Sequence, residues 1–195
     1  WEGFRARVMR RDCPLRKALS CCAARGVPLL GRLCMNRHYG EESPALRSSL
    51  ALRHPEYAER ARNGAPVSHK LCYAIPEVRQ ERQDILLELQ RIAVQALVLD
   101  FCRQVPILMY HEALVQPFVA ATGYDPRSIA SPDPAAWREW FQYRADVLTG
   151  FMRDLRESVR AQERTLGRPC PIIARVPDNA AWLTVAYGLD LERWL

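Results

Sequence analysis

The stretch Gln95–Pro106, QALVLDFCRQVP, ends an apolar run with an acid, Asp100, and follows it with an aromatic, a thiol, an arginine and a proline. A run without period-2 alternation fits a strand covered on both faces, as in a parallel sheet. Ligands meet such sheets at the carboxyl ends of the strands. Asp100 therefore stands where a carboxylate could act as nucleophile or electrostatic stabiliser, cap a helix, or pair with Arg103 or Arg144 as a scaffold ion pair. A second carboxyl could come from Glu112, in the loop after this run, or from Asp178, after a later strand. Each of those two equally suits a helix N-cap or first-turn charge. Asn36, His38, Tyr110 and His111 are polar groups in the connecting loops, and the direction of Arg175 is open. His38, His54 and His69 are too scattered to argue a metal site, and no cofactor is implied.

The elements that would position these residues alternate. CPLRKALSCCAAR (13–25) reads as a helix stopped by Gly26. VPLLGRLCMN reads as a strand buried around Leu29 to Met35. Residues 37–75 are irregular, with one short helix expected near Pro55–Arg62; an excursion of that length is usually functional. A helix follows from Pro76, with Val78, Ile85, Leu89 and Ile92 on its inner side. ALVLDF is the second strand, and a short helix over Ala113–Thr122 ends at Gly123. The longest helix runs from Asp133 to Gly167, with Trp137, Phe141, Leu148, Phe151, Leu155 and Val159 as its buried stripe. CPIIARVP is the third strand, and a final helical segment breaks near Gly188. Helices alternating with strands argue for a parallel sheet with right-handed crossovers and long loops after the strands.

Composition narrows the function. The chain has 195 residues, enough for one domain with a core, and 49% are hydrophobic. No apolar run reaches the roughly 20 residues that cross a bilayer, and the first residues carry no signal-peptide pattern. The chain starts at Trp1 and reads as part of a longer protein. The net charge of +6 is uneven, with 14 basic and 6 acidic residues in positions 1–75 against 14 and 16 thereafter. Only Lys17 and Lys70 are lysines. The arginines are spread along the chain with no basic run interleaved with aromatics, so no nucleic acid is expected as partner, although an arginine-rich polyanion-binding module is the rival reading. The seven cysteines are irregularly spaced without C-x-x-C and read mostly as small core residues with free thiols. No G-x-G-x-x-G, Walker or G-x-S-x-G motif follows a strand.

The ordered set RLCMNRHYG, YAIPEVRQE, VLDFCR and ATGYDPR…WFQYRADVLTGFMRDLR resembles the bacterial family-10-like glycosyl hydrolases, from about Pro14 to the end of the chain. The resemblance implies a single partial (β/α)8 barrel domain, residues 1–195. Its three strands would be the third to fifth of the barrel, the others lying outside this piece. It also implies a carbohydrate substrate and glycoside cleavage by a pair of carboxyl groups. Asn36 and His38 match polar positions after the third strand, although Arg37 replaces the family's acid there. Val94, Gln95 and Ala96 stand where relatives read Val-Asp-Gly. Asp100 retains the strand-end acid, followed by Arg103, and Arg144 matches an arginine on the next long helix. A non-catalytic carbohydrate-binding relative is the other reading. Three barrel strands cannot close, so the piece alone is expected to be marginally stable or prone to aggregate.

Overall fold

The computed structural model describes residues 14–38, 47–130, 133–178 and 185–195. Three strands, β1 (Leu30–Cys34), β4 (Ala96–Asp100) and β5 (Ile172–Arg175), form one parallel sheet in the order β1-β4-β5. The alternation of helix and strand in the sequence is thus realised as a mixed α/β fold with a parallel sheet. The register sets Cys34 and Arg175 on either side of Asp100, so all three strands end together.

Helix α1 (Pro14–Ala23) precedes β1, and Gly26 adopts a φ of +66° in the turn between them. Helix α3 (Pro76–Arg91) leads into β4, and α5 (Pro134–Leu166) leads into β5. The boundaries are written in local chemistry. Proline opens both helices, where its missing N–H costs nothing. The Asp133 side chain accepts from the Ala136 amide at 3.0 Å to cap α5, and Gly167 closes it at a φ of +65°. Helix α4 (Glu112–Thr122) ends at Gly123 in the same left-handed conformation.

The 33-residue α5 is about 50 Å long and runs in the same direction as α3. Gln83 donates to Ser158, and Gln90 donates to the Val159 carbonyl at 3.1 Å. Gln162 donates to Gln90 and to the Leu87 carbonyl, both at 2.8 Å. The innermost line of α3 is Val78, Arg82, Leu86 and Gln90. Val78 was expected there, but Ile85, Leu89 and Ile92 are only half-buried. The apolar residues of α3 span a wide arc, and Arg82 and Gln90 can lie deepest because both find hydrogen-bond partners. On α5, Leu148, Phe151, Leu155 and Val159 are buried as expected, whereas in its first turns Trp140, not Trp137 or Phe141, is sealed.

Successive strand residues point to opposite faces. Leu97 and Leu99 face the helices and are fully buried. Gly31 lies on that face too, and a Cβ there would come 3.1 Å from Val94 and 3.3 Å from Leu89. The other face is partly open: Leu30 is 45% exposed and Ile173 43%.

The excursion after β1 contains more order than its composition suggests. Helix α2 (Ser49–Arg53) is capped by Ser48. A single 3-10 turn (Pro55–Tyr57) then enters β2 (Ala58–Arg60), which pairs antiparallel with β3 (Pro66–Leu71). The helix expected over Pro55–Arg62 is therefore a 3-10 turn followed by a short strand. Glutamate and alanine favour helix locally, but pairing with β3 decides the outcome. The final segment is described only from 185, with a 3-10 turn over Leu191–Arg193 and Gly188 at a φ of +92°. Among the described residues no helix is long and apolar enough to cross a membrane.

Ala93, just after α3, holds a φ of +80°, a conformation that an L side chain resists. Replacing it with glycine removes that strain and adds chain entropy to the unfolded state. Ala93→Gly is expected to raise stability by about 0.5–1 kcal/mol, read as a higher urea midpoint with an unchanged m-value.

Candidate functional site

Asp100 ends the central strand on the open face of the sheet, and its side chain is fully buried. Among the described residues, arginines close over it. Arg32 on β1, two residues before Cys34 and so on the same face, donates through Nε at 2.9 Å and through a second nitrogen. Arg175 on β5 donates to both carboxylate oxygens at 3.1 Å. Arg103 brings its Nε to 4.0 Å, and the Cys102 amide donates to Oδ1 at 3.1 Å. Burial opposes ionisation of Asp100, but the bonds from Arg32 and Cys102 and the charges of Arg32 and Arg175 outweigh it. The carboxyl is held below its ordinary value. Its partner Arg32 is pushed up by the same bond. Asp100 is an anion and cannot donate a proton at neutral pH.

The end of β1 supplies the adjoining wall. Asn36 is 3% exposed and accepts from the Cys34 thiol at 3.5 Å, while its Nδ2 has no acceptor among the described residues. His38 is buried against Arg82, which donates to its ring, and Glu81 lies 3.6 Å away. Burial first, and then the Arg82 charge, drive the His38 pKa well down, so the ring is neutral. Between these groups lies a cavity of about 540 Å³ lined by Arg32, Leu33, Cys34, Arg37, Arg82 and Arg103.

The structure brings Asp100, Arg103 and Arg175 together and places Asn36 and His38 at the end of the neighbouring strand. None of the remaining expected site residues bonds to Asp100 among the described residues. Glu112 opens α4 and pairs with Arg127 and Gln116 on the surface. Gln116, then Arg127, hold its pKa down, which makes it a poor acid. Asp178 is exposed, three residues beyond β5. His111 caps α4, its Nδ1 accepting from Ala113 at 3.0 Å and its Nε2 donating to the Glu56 carbonyl at 2.9 Å. Tyr110 stacks on Trp140 with centroids 5.6 Å apart. Arg144 is 3% exposed and donates to the carbonyls of Leu108 at 2.7 Å and Ala186 at 2.6 Å. Burial lowers its pKa to about 10. Tyr110, His111 and Arg144 thus hold loops in place. Gln95, where an acid stood in the resemblance, joins β1 to β4 by accepting from the Leu29 amide at 2.7 Å.

Two groups were missed. Arg32 and Arg82 complete the cluster, and period 2 back from Cys34 would have found Arg32. The second group is a buried acid, Glu59 on β2, which is fully enclosed. Neither of its oxygens has a well-formed hydrogen-bond partner among the described residues. Burial raises its pKa, with the Cys72 thiol and the backbone at Met109 and His111 pulling the other way. Lys70 on β3 is depressed by burial and partly restored by Glu59. Its ammonium donates to the carbonyls of Gln104 and of Pro106, the latter at 2.9 Å, and so clamps the loop that follows Asp100.

No family model and no curated protein sequence matches the chain. Among the described residues no group of three or more His, Cys, Asp or Glu gathers as a metal site. The cysteines described, Cys21, Cys22, Cys34, Cys72, Cys102 and Cys170, are free thiols, and two of them, Cys72 and Cys170, are buried.

The two acids give opposite pH signatures. Asp100 is depressed in the fold, so its contribution is present above its ordinary pKa of 3.8 and is lost as pH falls through the lower folded value. Asp100→Asn is expected to cost about 1–3 kcal/mol at neutral pH, with the deficit closing below pH ~4. Glu59 is raised in the fold, so its contribution is complete below its ordinary 4.5 and is lost as pH rises through the folded value. Glu59→Gln is expected to match the parent near pH ~4 and to be the more stable protein at pH ~8. Denaturation midpoints of the three proteins across this range check both signs.

Proposed function

We propose that the chain is part of a βα barrel that cleaves glycosidic bonds, with β1, β4 and β5 as its third to fifth strands. The observation that carries this reading is an ionised carboxylate at the carboxyl end of the central parallel strand, on the face opposite the packed helices. In an open doubly wound sheet, helices cover both faces. In a barrel they cover only the outer one, and reacting groups stand at the carboxyl ends of the strands. Helices on the Leu97/Leu99 face and half-exposed residues on the Asp100 face fit the barrel alternative.

In this reading Asp100 works as the anionic member of a carboxyl pair, stabilising positive charge on the sugar ring or attacking it. Arg32 and Arg175 hold it deprotonated and aligned. The proton for the leaving oxygen comes from a second carboxyl. Glu112 is committed to Arg127, which leaves exposed Asp178 or an acid on a strand outside the described residues. Asn36 and Arg103, near the strand ends, are suited to sugar hydroxyls.

A second reading has its own support. Both oxygens of Asp100 are already bonded, and no other carboxyl pairs with its arginines among the described residues. A non-catalytic saccharide-binding barrel needs nothing more.

Asp100→Asn separates the two. Hydrolysis predicts that kcat/KM for reducing-end release from a responsive glycan falls at least about 10²-fold, while binding of that glycan persists. Glycan binding without turnover in the parent protein, unchanged by the substitution, selects the binding reading.

A further inference from the structure

We infer that the cavity beside Asp100 is a subsite for an oxyanion, the carboxylate, sulfate or phosphate group of an acidic saccharide. Its lining is dominated by arginine: Arg32, Arg37, Arg82 and Arg103 surround about 540 Å³ of space. Even with Arg37 set aside, Arg32, Arg82, Arg103 and Arg175 face only two carboxylates among the described residues, Asp100 and Glu81. Asp100 takes up Arg32, Arg103 and Arg175 together, so the mouth keeps a surplus of positive charge.

The cavity is also built, not merely bordered by surface charge. The Arg82 side chain is only 6% exposed, and its Nε has no hydrogen-bond acceptor among the described residues. The nearest carboxylate oxygen, on Glu81, is 4.0 Å away. Asn36, bonded to the cavity-lining Cys34, carries a second buried donor without an acceptor among the described residues. Buried donors left unmet cost free energy, and a ligand supplying acceptors recovers it. Guanidinium groups offer paired N–H donors that fit the two oxygens of a carboxylate or an ester oxyanion. Arg32 and Arg103 each touch both Asp100 and the cavity, so the anion would sit beside the carboxylate assigned to bond cleavage.

The saccharide part of this inference rests on the glycosidase reading; the anion site itself does not. The test is calorimetric titration of the whole protein with D-glucuronate, with inorganic phosphate, and with D-glucose as the neutral control. The expected result is saturable binding of at least one anion and none of glucose, weakening as sodium chloride is added. A preference for glucuronate assigns a uronic acid, and a preference for phosphate assigns an ester. Arg103, whose side chain is 57% exposed, can be changed without disturbing the core. Arg103→Gln should weaken binding about fivefold or more with an unchanged melting temperature, and Arg37→Gln should weaken it as well. Absence of saturable binding for both anions, or binding indifferent to both substitutions, overturns the site. Cleavage of a neutral glycan without anion binding would defeat this inference and leave the hydrolase standing. Anion binding without cleavage of any glycan would do the reverse.

Discussion

One carboxylate links the three strands of the sheet at their carboxyl ends. Asp100 on β4 is bonded sideways to Arg32 on β1 and Arg175 on β5. Each strand therefore reaches its neighbour twice, through the backbone ladder and through this shared anion. A buried carboxylate alone would protonate or find water. Here the two guanidinium groups, each about half exposed, keep contact with solvent while their donors turn inward. The arrangement avoids most of the desolvation penalty of a fully buried ion pair, because only the anion is enclosed. It also fixes the charge state of the site, since Asp100 stays ionised as long as the arginines stay in place.

The loop after Asp100 is held just as firmly, by different means. Residues 101–111 have no regular structure, yet the segment is fastened from four directions. Lys70 holds Gln104 and Pro106, Arg144 holds Leu108, Tyr187 accepts from Ile107, and Arg60 accepts from Tyr110. Two of these anchors come from the β2–β3 hairpin, which explains why a hairpin interrupts the alternation of helix and strand. It is a brace for the rim of the sheet. Glu59 and Lys70 carry its polar cost, one raised and the other depressed by the same enclosure.

What the sequence disclosed follows from how local each signal is. Pro76, Asp133 with Pro134, Gly123 and Gly167 encode helix ends within a few residues, and those ends fall where the residues say. The strands around Leu99 and Ile172 were legible because unbroken apolar runs suit a parallel sheet. The hairpin was not legible, because PEYAER favours helix until β3 pairs with it. The inner line of α3 was misplaced for a related reason. A wide apolar arc permits several rotations, and the choice depends on Gln90 meeting Val159 and Gln162 on a distant helix. At the site, Asp100 was visible from its place at a strand end. Its true partner Arg32 depended on register, which sets Cys34 opposite Asp100 and hence Arg32 on the same face. Arg144, expected beside Asp100, instead turns its charge to two carbonyls, a destination that no spacing rule reveals.

The same arginines that keep Asp100 ionised also limit what it can do. A carboxylate bonded on both oxygens is a weaker nucleophile than a free one, since attack must break or lengthen a charge-assisted bond. Arg175 bridges both oxygens and would have to yield first on one side, whereas Arg32 and the Cys102 amide each hold a single oxygen. An anion entering the arginine-lined cavity would compete with Asp100 for Arg32 and Arg103. That competition would loosen the carboxylate's bonds while bringing the ligand against it. If the proposed anion site holds, recognition would be coupled to activation through shared donors, and the reactivity of Asp100 would depend on the charge of the ligand as well as on its shape.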